Sequence, residues 1–141
     1  MKMLTVLFLS FVIGNSWILD FKEAVAKAKE SHKYIIVNFS GSDWCGPCIR
    51  MHKEIFEKEA FENYADKNLV LVRADFPRLK KNQLSKEQLK KNNDLAVKYN
   101  PDGDFPLTVL VDAQGKVIKE WKGFPGCSSQ EFVKQIEDAI H

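Results

Sequence analysis

Residues 35–48 read IIVNFSGSDWCGPC. Tyr34 to Phe39 is a short, mostly apolar run with β-branched residues. Such a run predicts a strand buried on both faces, as in a parallel sheet. Ser40-Gly41-Ser42-Asp43 then has the composition of a turn. A helix opens near Cys45 or Gly46. Pro47 is tolerated there because the first turn needs no N–H from it. Two thiols, Cys45 and Cys48, thus stand three residues apart at the mouth of a helix that follows an apolar strand.

Working outward toward the N-terminus, Asp20 can cap a helix, with Glu23 as its reciprocal partner. Phe21, Ala24, Val25 and Ala28 carry that helix to about Ser31. Residues 1–16 read as a secretory signal. Lys2 precedes an apolar run from Met3 to Ile13, and Gly14 and Ser16 are small residues two apart. The run is too short to span a hydrocarbon core of about 30 Å. The mature chain is then a single domain over 17–141, and all three cysteines lie in it. That implies a periplasmic or secreted protein, working where disulfides persist.

Toward the C-terminus, the active helix continues through Ile49, Met51, His52, Ile55 and Phe56, and a short helix covers about 57–66. Leu69 to Ala74 is a second strand and 76–83 is irregular. Ser85-Lys86-Glu87-Gln88 is a capping box that opens a helix to about Tyr99. Leu107–Val111 and Val117–Trp121 are strands joined by a tight hairpin, with Gly115 suited to positive φ. Ser128 and Glu131 form a second box, before a helix whose core face is Phe132, Val133, Ile136 and Ile140. The order α-β-α-α-β-α-β-β-α predicts an α/β fold. Helices flank a mixed central sheet of about four to five strands, with parallel crossovers between the strand–helix–strand units and one antiparallel hairpin.

The chain has 141 residues, 45% of them hydrophobic and 28% charged, which excludes a disordered or low-complexity chain. A net charge of +2 gives no electrostatic footprint for nucleic acid.

The thiol spacing carries the chemistry. Cys45 meets the unpaired N–H groups and the dipole of the helix start, which depress a thiol pKa and favour the attacking thiolate. Cys48 lies deeper, as the resolving thiol that breaks a mixed disulfide. Pro47 stiffens the small ring, and Gly46 leaves Cys45 uncovered for a protein partner. A disulfide closing so short a loop adds little chain-entropy stabilisation, which argues for redox work over stapling. A structural disulfide and half of a zinc site are the alternatives. Zinc would need two further ligands, and no second Cys-x-x-Cys or His-x₃₋₅-His pair exists.

With these residues in hand, the chain resembles the thioredoxin family over about 20–141. The stretch IIVNFSGSDWCGPC is similar to the family's strand-to-active-site segment, and Cys-Gly-Pro-Cys is the dithiol of thioredoxin itself. The resemblance implies a thioredoxin fold and exchange of disulfides with protein substrates. No metal or organic cofactor is implied, because the Cys45–Cys48 disulfide is the redox centre. Electrons would come from a partner protein dithiol, for which a membrane-bound donor is one form. The protein would act as a monomer, as reductant or interchange protein. Trp44 would cover one side of the dithiol. Phe105-Pro106 resembles the family's cis-proline, so Phe105 would offer its backbone to a substrate segment and Pro106 would keep the site open.

The sequence departs from the family at several points. Asn38 replaces a buried Asp and cannot serve as a base. Leu71 replaces a buried Lys, and Lys53 stands where the family has a kinking Pro. The turn before the dithiol is one residue longer, with Asp43 read as an exposed loop carboxylate. These features point to secreted thioredoxin-like proteins rather than the cytosolic form. His52 reads as a solvated histidine on the Cys48 face, with thiolate tuning as the alternative. Arg50 and Lys53 read as solvated. Cys127 reads as a buried structural cysteine packing on Phe132. The seven basic residues between 78 and 98 read as a solvated face, or else as a docking surface for an acidic partner. A redox-indifferent binding module using Phe105-Pro106 and this basic run is the second functional reading.

Overall fold

The computed structural model describes residues 16–141. Strand β1 (Tyr34–Ser40) lies inside a four-stranded sheet of order β2-β1-β3-β4, with β2 at Leu69–Asp75, β3 at Leu107–Val111 and β4 at Val117–Lys122. β1 is parallel to β2 and antiparallel to β3, and β3 is antiparallel to β4. The helices are α1 (Phe21–Ser31), α2 (Gly46–Met51), α3 (Glu59–Asn68), α4 (Lys86–Tyr99) and α5 (Ser129–Ile140). The order of elements is the one the sequence predicts.

One crossover differs. The sequence predicts parallel strands on both sides of α4, yet β3 runs antiparallel to β1, entering at Leu107 opposite Phe39. The long connections 76–85 and 100–106 bring the chain back to the end where β1 and β2 finish. That is the dithiol end, so three strand termini converge on the site.

Alternation along β1 and β2 builds two core layers. Ile35, Val37, Phe39, Val70, Val72 and Ala74 pack with Ala24 and Ala28 of α1 and with Leu95 and Tyr99 of α4. Ile36, Leu69 and Leu71 pack with Met51, Phe61, Ala65, Phe132 and Ile136 on the other side, under α2, α3 and α5. Ile18 adds a single bridge to the free edge of β2. Its N–H donates to Leu71 O at 2.7 Å, and its carbonyl accepts from Arg73 N at 3.0 Å. Residues 1–15 of the targeting segment lie outside the described residues.

The caps explain where the helices begin. The Asp20 carboxylate accepts from Lys22 N and Glu23 N, but Glu23 turns to Lys27 instead of closing a box. Ser85 accepts from Gln88 N, while the Gln88 amide donates to Leu19 O and Asn92. Only Ser128 and Glu131 form the full reciprocal box. Gly115 has φ +83°, as the hairpin requires.

Candidate active site

Cys45 is the N-cap of α2, and its sulfur accepts the Cys48 N–H at 3.3 Å. The Cys48 sulfur accepts the Gly41 N–H at 3.5 Å. The two cysteines are joined in a disulfide with Cα atoms 5.2 Å apart. Cys45 is 5% exposed and Cys48 1%. Cys45 is thus less open than the sequence suggests, because its sulfur turns inward to bond Cys48 and the helix N–H. Gly46 and Pro47 are the exposed part of the motif. Backbone donors and a helix start of this kind stabilise a thiolate in general.

The Phe105–Pro106 bond is cis, as the resemblance implies. Pro106 is buried, and its carbonyl accepts Gly123 N–H at 2.8 Å. Phe105 and Trp44 meet edge to face with centroids 5.5 Å apart, and Phe105 meets Phe76 in the same way. The Trp44 indole N–H donates to Phe76 O at 2.7 Å. Trp44 therefore bridges the dithiol helix to both the cis-proline segment and the loop after β2. Any side chain at Gly41 would overlap its indole, so this glycine makes room for the tryptophan.

The extra turn residue finds its reason here. Ser42 binds the Asp75 carboxylate through both its N–H (2.9 Å) and its hydroxyl (2.5 Å). Asp43 accepts from Arg78 N, Leu79 N and the Asn82 amide at 2.9–3.1 Å. Those donors, Arg78 N first, hold its carboxyl below the usual range. The expectation of a merely exposed carboxylate is corrected, because Asp43 anchors the 76–83 loop, which contains a 3₁₀ turn at Lys80–Asn82. No single local pattern announces a bond across so many residues.

His52 also needs correction. It is half-buried and opens a π turn, His52–Phe56, that continues α2. Glu57 N–H donates to His52 O at 2.8 Å, a five-residue step. The π turn falls where the sequence has Lys53 instead of a kinking proline, and α3 begins after it at Glu59. The His52 ring packs against Trp17 and Phe56, and its Nδ1 lies 2.6 Å from Arg73 Nη2. Arginine can only donate, so Nδ1 accepts and the ring is neutral with its proton on Nε2. Burial, with the Arg73 charge second, pushes the His52 pKa down to about 4.

Asn38 is 1% exposed, and its amide donates to the Thr108 hydroxyl at 3.1 Å; the hydroxyl in turn donates to Met51 sulfur at 3.6 Å. Leu71 is buried and apolar. No carboxylate among the described residues occupies the Asn38 position. Cys127 is half-buried, not buried, at the rim of the Phe132 layer, where desolvation pushes its thiol up. Arg50 stacks on Phe124 at 4.4 Å and pairs with Glu54. Among the described residues no group of three or more His, Cys, Asp and Glu side chains could hold a metal.

A protein-family model described as a thioredoxin-like domain matches residues 21–140. The chain belongs to the thioredoxin-like family. It is 36% identical over 121 residues to the disulfide bond reductase DsbH of Chlamydia pneumoniae, covering 86% of this chain and 70% of that protein. It is 37% identical over 103 residues to the thioredoxin-related protein DsbJ of the same organism, but this spans only 28% of DsbJ. A solved structure of a DsbH oxidoreductase superposes with a TM-score of 0.81 at 34% identity, covering 90% of this chain and 85% of that one. This thioredoxin-like chain is a protein-disulfide oxidoreductase.

Proposed function

We propose that the protein is an extracytoplasmic reductant of protein disulfides, with Cys45 as nucleophile and Cys48 as resolving thiol. The observation that carries this reading is the Cys45 sulfur capping α2, with Trp44, the residue before it, packed edge to face on Phe105. The Cys45 thiolate attacks a substrate disulfide, forming a mixed disulfide and releasing one substrate thiolate. The Cys48 thiolate then attacks the Cys45 sulfur, forming the Cys45–Cys48 disulfide and releasing the second. Two electrons pass to the substrate, and solvent protons complete its thiols. A partner dithiol restores the reduced state. Phe105 and Pro106 line the substrate segment, with Gly46 and Pro47 exposed in front of it. The signal reading of residues 1–16 supports the compartment, and the name of the relative disulfide bond reductase DsbH supports the direction.

The test is the equilibrium reduction potential in a glutathione series, with Cys127→Ala isolating the pair. A value near about −270 mV supports a reductant, and one near about −120 mV would make the pair an oxidant. Cys45→Ser is expected to abolish turnover of a disulfide peptide. Cys48→Ser is expected to trap the mixed disulfide, visible as a mass adduct that dithiothreitol removes. Turnover by Cys45→Ser would overturn the assignment.

A further inference from the structure

The basic run of residues 78–98 does not behave as one surface. On α4, Lys90 pairs with Asp94 and Lys91 with Asp20 and Glu87, Lys98 lies over the Phe21 and Tyr99 rings, and Lys86 makes no ion pair among the described residues. Arg78, Lys80 and Lys81 have no ion-pair partner among the described residues. All three are exposed, and they sit on the 76–83 loop that Asp43 and Trp44 fasten to the dithiol turn. The Arg78 guanidinium lies 3.6 Å from the centre of the Trp44 ring. Trp44 immediately precedes Cys45. On the other flank, Asp104 precedes Phe105, but it and Asp102 already face Lys122 at 3.5 and 3.7 Å. On the Trp44 side the three cations outnumber the Asp43 and Asp75 carboxylates that bind the same turn and loop. The cations are also held in place, since three bonds to Asp43 and one from Trp44 tether the loop.

We propose that Arg78, Lys80 and Lys81 are specificity-determining residues that select substrate disulfides whose attacked cysteine is flanked by acidic residues. The proposal rests on the exchange reading, in which a substrate segment lies along Phe105 and Pro106 and reaches the dithiol past the Trp44 that packs on Phe105. A segment passing Trp44 meets the Arg78 guanidinium, which stacks on the indole and, with no ion pair among the described residues, can grip a carboxylate. Lys80 and Lys81 add field without fixed geometry, which raises the encounter rate with an acidic segment. Leu79, 47% exposed between them, offers an apolar contact on the same loop.

The test uses the reduced protein and two synthetic disulfide-bonded peptides. They differ only in carrying Asp or Gln at the two positions flanking one cysteine. The readout is the ratio of kcat/KM for the Asp peptide over the Gln peptide. A ratio of roughly tenfold at low ionic strength is expected from a few rim charges, falling toward one in 0.5 M NaCl (a condition of the assay) as screening shortens its range. Arg78→Gln/Lys80→Gln/Lys81→Gln should bring the ratio close to one. Lys27→Gln/Lys29→Gln/Lys67→Gln, which removes as much charge at the opposite end of the sheet, should leave it high. Equal kcat/KM for both peptides in the parent protein overturns the proposal, and so does an equal loss of preference in both variants. No turnover of either peptide would sink the exchange reading itself, a distinguishable failure.

Discussion

On the face of the sheet covered by α1 and α4, the strands stay apolar to their ends, with Ile35, Val37, Phe39, Val72, Ala74, Leu107 and Val109. On the opposite face the sheet is apolar at the far end, with Ile36, Leu69, Leu71 and Leu110, and polar at the dithiol end, with Asn38, Ser40, Arg73 and Thr108. The polar end lies under α2, next to the dithiol. Three buried polar atoms at or beside it, Ser40 Oγ, His52 Nε2 and Arg73 Nε, make no hydrogen bond among the described residues. The α1/α4 face is therefore apolar along the whole strand length, whereas the α2/α3/α5 face, which buries Phe61, Phe132 and Ile136 away from the thiols, turns polar where they stand.

The largest expected effect comes from breaking the apolar face. Ile35 is fully buried at the start of β1, at the far end of the sheet from Cys45. Ile35→Ala should cost about 2–5 kcal/mol by urea unfolding, from lost transfer energy plus the cavity. The reduction potential of Cys45–Cys48 should not move. A shifted potential would mean that the two faces are not separable in function.

The polar face should show itself in acid. The His52 pKa is about 4 in the fold against 6.5 for the free side chain. Between those values the unfolded chain binds the extra proton, so stability rises with pH. It is fully present above pH 6.5 and drains away as pH falls toward 4. Discounted for the partial exposure of His52, the loss is about 2 kcal/mol. His52→Leu should flatten the slope in urea midpoints taken from pH 7 to pH 4. An unchanged slope would place the acid sensitivity elsewhere. Arg73 is the reason a neutral histidine suits this position. Its guanidinium lies 4.5 Å from the Trp17 ring centre and donates to His52, with no carboxylate paired to it among the described residues.

Much of this was readable before any coordinates. Runs such as Tyr34–Phe39 and Leu69–Ala74 are too apolar to be anything but strands covered on both faces, and Cys45-Gly46-Pro47-Cys48 at a helix start has few other uses. The order of elements and the Ser128 cap follow from local chemistry. What escaped depends on contacts distant in sequence. The turn 40–43 looks like any polar turn until Asp75 and the 78–82 backbone arrive to bind it. His52 looks solvated because its covers, Trp17 and Arg73, come from the N-terminal edge segment and from β2. One signal was available: Arg73 shares the parity of Leu69 and Leu71, which places a cation on an inward face and calls for an aromatic or polar neighbour. The direction of β3 was hidden because the connections around α4 are long enough to return the chain to either end.

The smallest effect sharpens the comparison most. Asn38 and Thr108 face each other across β1 and β3, both essentially buried, and their bond occupies the place where the opposite face has only hydrocarbon. Thr108→Val removes the acceptor and strands the Asn38 amide, at a cost of roughly 1–2 kcal/mol. Removing both partners is a different experiment. Asn38→Leu/Thr108→Val extends the apolar pattern toward the dithiol and leaves no orphaned donor. The double variant should be more stable than Thr108→Val alone, with a clear coupling term in the mutant cycle. If the single losses simply add, the polar pair is not acting as a unit. If the double variant recovers stability and the rate of mixed-disulfide resolution falls, the polarity under α2 serves the thiols and not the fold.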